Sequence, residues 1–139
     1  MSEEKKNELP EDVSVVDLLL RPEAPNVLKI LPRASYKVKR LSDALGAPVV
    51  FELQGLPFGR VQEIRRSKGN ALDVSVDILL AGVVSPDLKD GRLQSKFSGI
   101  TPAETVKAML LPGEIDDLAE AIEQLSGYRT STIELIKNG

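Results

Sequence analysis

The sequence predicts an α+β fold, mostly helical, with one small β-hairpin near residues 36–54. Three observations carry this. Between Tyr36 and Gln54 apolar and polar residues alternate with period two, the repeat of a strand with one buried face. From Asn70 onward the apolar residues recur instead at three- and four-residue spacing, which lines one face of a helix. Aromatic residues make up only 4% of the chain against 42% hydrophobic residues, so the core has to be assembled from Leu, Ile, Val and Ala.

The opening MSEEKKNELPED lacks the basic start and apolar centre of a secretory signal and reads as a flexible tail over residues 1–12. VSVVDLLL, from Val13 to Leu20, is a short helix or docking segment with Ser14 as its cap. RPEAPN stops it, and a proline-containing loop follows to Pro32. YKVKRL and PVVFELQGL are the two strands, and SDALGA between them suits a hairpin loop whose glycine can take positive φ. A hairpin alone is marginal in water, so one of its faces has to lie on helices.

Pro57–Arg66 is helical, with Val61 and Ile64 facing inward and Phe58 as a third candidate. Asn70 caps ALDVSVDILLAGVV, which puts Leu72, Val76, Leu79, Leu80 and Val83 on one face before Pro86 ends the helix. LKDGRLQSKF adds a short turn or helix. In TPAETVKAMLL, Thr101 at the N-cap, Pro102 in the first helical position and Glu104 in the third make a capping box. The last helix starts at Pro112, carries the stripe Ile115, Leu118, Ile122 and Leu125, and has Gly127 as a left-handed terminator. Residues 13–128 form one domain; residues 129–139 are a tail, helical where something receives its Ile and Leu and frayed otherwise.

Chemistry is narrowed mainly by what the chain lacks. Cysteine and histidine are absent, which excludes disulfides, thiolate metal sites, cysteine nucleophiles, a Ser-His-Asp triad and a histidine zinc site. Hydroxyl nucleophiles are left without their usual base, and no Ser-x-x-Lys stands in a pocket-forming context, so no enzyme and no catalytic residue is expected. Gly55, Gly59 and Gly69 form neither a dinucleotide fingerprint nor a phosphate loop, so no cofactor is expected. SPDLKDG lacks the ligand alternation of a calcium loop and reads as a turn.

Five acids lie between Glu114 and Gln124, and Asp116, Glu120 and Glu123 stand at i, i+4 and i+7, a spacing that suits a hard cation or an acid–base pair. A solvated helix face accounts for them better: Glu114, Asp116 and Asp117 occupy the first turns, where the helix dipole favours negative charge by about 0.3–1 kcal/mol each. No metal is expected.

Net charge is −3 and uneven, with 12 basic and 10 acidic residues through residue 70 and 6 against 11 thereafter, an asymmetry that can steer association, including self-association into a homo-oligomer. Lys37, Lys39 and Arg40 beside Tyr36 suit phosphate contact, but an edge strand protected by lysines explains them better. No apolar stretch approaches the ~20 residues of a membrane span, so a soluble chain without a membrane or nucleic-acid partner is expected.

Three aliphatic segments remain, at 13–20, 115–125 and 133–136. Each suits a core, and the terminal ones also suit docking onto a partner helix. The candidate partner-binding residues are Leu18, Leu19, Leu20, Ile115, Leu118, Ile122 and Leu125.

The order of the segments VVDLLL, KVKRLSDALGAPVVFELQGL, ILLAGVVSPDLKD and KFSGITPAETVKAMLLPGEIDDLAEAIEQLSGY resembles the tail assembly chaperones of bacteriophages and of PBSX-like prophages of Gram-positive hosts. The last segment is the most specific, because the TPxE cap, LLPGEI and LSGY occur together in order. The resemblance implies a non-catalytic protein of the host bacterial cytoplasm, absent from the mature virion. It would bind the tape-measure protein until tail tube subunits polymerise round it. A longer frameshifted form of the chain is a further implied partner. Two rival functions are a structural component of the phage tail and a small nucleic-acid-binding regulator.

Overall fold

The computed structural model describes residues 13–67 and 70–137, apart from the side chain of Leu72; the expected tail at residues 1–12 lies outside them. The chain divides after Ile30 into two compact units. In the first, helix α1 (Val15–Leu19) starts as expected at Ser14. The Ser14 Oγ accepts from the Asp17 N–H at 3.1 Å, and the Asp17 carboxylate accepts from the Ser14 N–H at 3.2 Å. No residue of α1 is buried.

The second unit holds strand β1 (Arg33–Lys37), helix α2 (Lys39–Leu45), strand β2 (Val50–Gln54), helices α3 (Phe58–Arg66) and α4 (Ala71–Gly82), strand β3 (Val83–Ser85), and helices α5 (Gly91–Lys96), α6 (Pro102–Met109) and α7 (Pro112–Leu125). The antiparallel sheet has the order β1-β2-β3. The α+β class and the hairpin stand. Strand β1 pairs Arg33 with Gln54 and Lys37 with Val50, so it starts three residues before Tyr36.

The hairpin connection differs from the expected loop. Lys39–Leu45 is helical, because Lys, Arg, Leu and Ala favour a helix once pairing stops at Val38. Gly46 closes it at φ 68°, the positive φ assigned to the glycine. The buried Ser42 Oγ accepts from the Val49 N–H at 2.8 Å, replacing a ladder bond at the mouth of the hairpin. The third strand was not expected either. Helix α4 ends at Gly82 rather than at Pro86, and Val83–Ser85, led by two β-branched residues, pairs with β2 and covers its second edge.

Phe51 and Leu53 of β2 are sealed in the core with Val76, Ile78 and Leu79 of α4, Val106 of α6, and Ile115, Leu118 and Ile122 of α7. Val61 and Ile64 of α3 are buried as expected, but Phe58, the first residue of the helix, is 70% exposed. Gly82 and Gly55 both approach α7 and the turn after it closely. A Cβ at Gly82 would stand 2.6 Å from the Ile122 side chain, and one at Gly55 would stand 2.5 Å from the Leu125 carbonyl oxygen.

At α6, the Thr101 Oγ1 accepts from the Glu104 N–H at 3.2 Å, while the reciprocal bond of a full capping box is not formed. Helix α7 ends in a left-handed cap. Gly127 sits at φ 96°, its N–H reaches the Gln124 carbonyl, and the Tyr128 N–H reaches the Glu123 carbonyl at 2.9 Å. Beyond it, residues 131–137 are neither helix nor strand.

Candidate partner-binding surface

Helix α1 has apolar residues at every position except Asp17, so no single packing face can bury them all. Val15, Val16, Leu19 and Leu20 are exposed, the last by 75%, and Leu18 is half-buried. Val27, Leu28 and Ile30 continue the exposed series, so seven large hydrophobics face solvent between Val15 and Ile30. Val27, Leu28 and Ile30 were not among the expected contacts; the proline-rich loop obscured their clustering.

The other half of the expected surface lies elsewhere. Ile115 and Ile122 are at most 2% exposed, Leu118 is buried, and Leu125 packs against the core. Their three- and four-residue spacing places them on one face of α7, and that face is taken by α4 and β2. The stripe on α7 is therefore core, and the α1 leucines are the expected contact residues with accessible side chains.

The acids of α7 fall into two sets. Glu114 receives two hydrogen bonds from Arg40, at 2.9 and 2.8 Å, while the same guanidinium donates to the Met109 carbonyl at 3.0 Å. Hydrogen bonding to Arg40 and the Leu111 N–H holds the Glu114 carboxyl below the ordinary glutamate range, outweighing the opposing effect of burial. Glu123 faces Arg65 at 3.7 Å and Arg129 at 3.2 Å, and Arg65 lies over the Tyr128 ring, 5.1 Å from its centroid. These two acids tie α7 to its neighbours. Asp116, Asp117 and Glu120 are exposed along the helix, and among the described residues no group of three or more Asp or Glu is placed to hold a metal ion.

The basic residues singled out in the sequence, Lys37, Lys39 and Arg40, border one groove but are engaged differently. Lys37 lies on β1, an edge strand of the sheet, and Arg40 is engaged by Glu114. Between them and α7 runs a groove of about 560 Å³, floored by Tyr36, Val38, Leu118 and Ala121, with basic residues on one rim and Glu114, Asp117 and Glu120 on the other. A continuous cationic track is not formed there. No helix among the described residues is long and apolar enough to cross a membrane.

Fold and surface define a class: a small α+β protein with an aliphatic core, whose acids serve as ion-pair ties and solvated edge, and which exposes large apolar residues on an N-terminal helix and again at 133–136. The chain belongs to the phage XkdN-like tail assembly chaperone proteins, whose family model matches residues 16–138. Its place is thus in phage tail assembly, within the host cell, with a phage tail protein as partner. The crystal structure of a protein named yqbn is similar in fold, with a TM-score of 0.55 over 71% of this chain and 89% of that one at 20% identity. No curated protein matches the chain.

Proposed function

We propose that this chaperone binds the tape-measure protein during tail morphogenesis, without catalysis, in the host cytoplasm, and that it is released before the virion is complete. The observation that carries this reading is α1, a capped helix with no buried residue and an apolar surface nearly all round. Such a helix is costly in water and becomes favourable against apolar faces of a helical partner, where each buried leucine contributes about 1.5–3 kcal/mol. The α7 stripe supports the interaction indirectly, by holding the core.

Co-expression with the tape-measure protein followed by affinity capture tests the proposal. The parent chain should retain the tape-measure protein, and Leu19→Asp/Leu20→Asp should lose it while keeping the parent's helical signal. Capture that is unchanged in the double variant overturns the role of α1. Purified virions should lack the chain; its presence there would favour a structural tail component instead.

A further inference from the structure

Strand β1 leaves one side of its backbone open. The Val38 N–H reaches the Val49 carbonyl and the Gly55 N–H reaches the Pro32 carbonyl, both at 2.9 Å, so the even-numbered residues of this segment turn their amides toward β2. The N–H and C=O groups of Arg33, Ser35 and Lys37 point the other way, to the side of β1 on which the sheet has no further strand among the described residues. On the core side of the strand, Tyr36 and Val38 border the groove shared with α7.

The same chain carries a segment suited to that edge. STIELIK, residues 131–137, has no Gly or Pro and is rich in β-branched and aliphatic residues. Ile133 and Leu135 are 88% and 85% exposed, and none of its amides has a backbone partner among the described residues.

We propose that residues 131–137 of one copy add to β1 of a second copy as an antiparallel strand, with Glu134 opposite Ser35. Period-two geometry then decides the rest. Ile133 and Leu135 stand opposite Tyr36 and Ala34 on the core side of the strand, Ile133 beside the groove. Thr132 and Ile136 stand opposite Lys37 and Arg33 on the outer face, which leaves Glu134 diagonal to both cations. A slip of one residue would turn Ile133 and Leu135 to solvent and put Glu134 over the apolar floor, so this register is favoured.

Two competing pairings are weaker. Antiparallel pairing of β1 with another β1 about Ser35 sets Arg33 against Lys37, a like-charge contact. Pairing with the chain's own tail is limited by reach. Gly55 joins Pro32 at one end and abuts Leu125 at the other, so the tail departs near the Arg33 end of its own β1. The three steps from Tyr128 to Ser131 span at most about 11 Å, short of the roughly 13 Å between Arg33 and Lys37, so an antiparallel tail cannot start at the Lys37 end of its own strand. Donor and acceptor surfaces differ, so two copies can exchange tails reciprocally, and longer assemblies repeat the contact head-to-tail. A single added strand places the affinity at the weak end of specific interfaces.

Sedimentation velocity on the full chain, from micromolar to near-millimolar concentration, tests this independently of the tape-measure reading. The parent should grow in mass with concentration, while full-length Ile133→Asp/Leu135→Asp should remain a monomer of about 15.1 kDa. A labelled peptide of residues 130–137 should bind that folded variant, and Lys37→Glu added to it should weaken the peptide several-fold. A parent that stays monomeric throughout, including one whose tail amides are protected by pairing within the same chain, overturns the proposal. So does association that survives the double substitution, or a peptide that fails to bind.

Discussion

Gly55→Ala is the sharpest probe of how the sheet meets α7. Gly55 has no positive φ, so alanine there fits the backbone and would by itself stabilise the protein by about 0.4–1 kcal/mol through the unfolded chain. Space decides otherwise. The added methyl would stand 2.5 Å from the Leu125 oxygen, 2.8 Å from the Leu125 carbonyl carbon and 3.1 Å from the Ser126 nitrogen, all backbone atoms at the end of a packed helix. Relief requires the end of α7 to shift by most of an ångström. That strains the bond from the Leu56 N–H to the Ser126 Oγ, 2.8 Å long, in which the hydroxyl also donates to the Ile122 carbonyl. Overpacking costs about 1–3 kcal/mol, and weakening a half-buried hydrogen bond about 1 kcal/mol more. The net loss is about 2–3 kcal/mol, or roughly 6–12 °C in Tm for a chain of this length. Thermal unfolding followed by circular dichroism reads it directly. Gly59→Ala and Gly113→Ala, where the Cβ meets nothing within 4 Å, should hold or raise Tm. A Gly55→Ala protein as stable as its parent would refute the close packing of β2 on α7.

Ile122→Ala removes a fully buried side chain from the α4–α7 contact and should cost about 2–5 kcal/mol in a urea titration, whereas an interface role for that residue would leave the free chain's stability almost untouched. Leu19→Asp/Leu20→Asp should change the unfolding midpoint of the free chain very little, because both side chains are already in water; a large loss would place them in a core. Glu114 has a folded pKa below its ordinary value of 4.5, so its bond to Arg40 contributes stability that is present above that value and is lost as pH falls through the depressed folded pKa. Glu114→Gln should therefore remove part of the acid limb of the stability–pH curve while lowering stability near neutral pH. Asp90, held down to about 2 by hydrogen bonds from Arg92, acts in the same direction between about pH 4 and 2, and Asp90→Asn should flatten that window; an unchanged acid limb would refute the assignment.

Local signals carried much of the fold. The caps at Ser14, Asn70 and Thr101 formed where short polar side chains precede helical runs, because those side chains satisfy amides that the helix itself leaves free. Gly46 and Gly127 took left-handed backbone for the reason that makes glycine common there. Less legible was the stretch Val38–Leu41, which its alternation made a strand and which is helical from Lys39. The end of β1 pairing at Val38 decided it, and pairing is a property of two segments at once. The same holds for Val83–Ser85, which became strand only because β2 had an open edge.

The sequence by itself determined the α+β class, the aliphatic core, the absence of histidine and cysteine chemistry, and the segment order that resembles tail assembly chaperones. These depend on composition and on spacing within a few residues. Only the tertiary structure decided which aliphatic stripe is hidden. The spacing of Ile115, Leu118 and Ile122 suits a core or a partner equally, and it was the arrival of α4 and β2 that made it core. Burial depends on what packs from a distance along the chain, and a stripe read alone does not encode its neighbour.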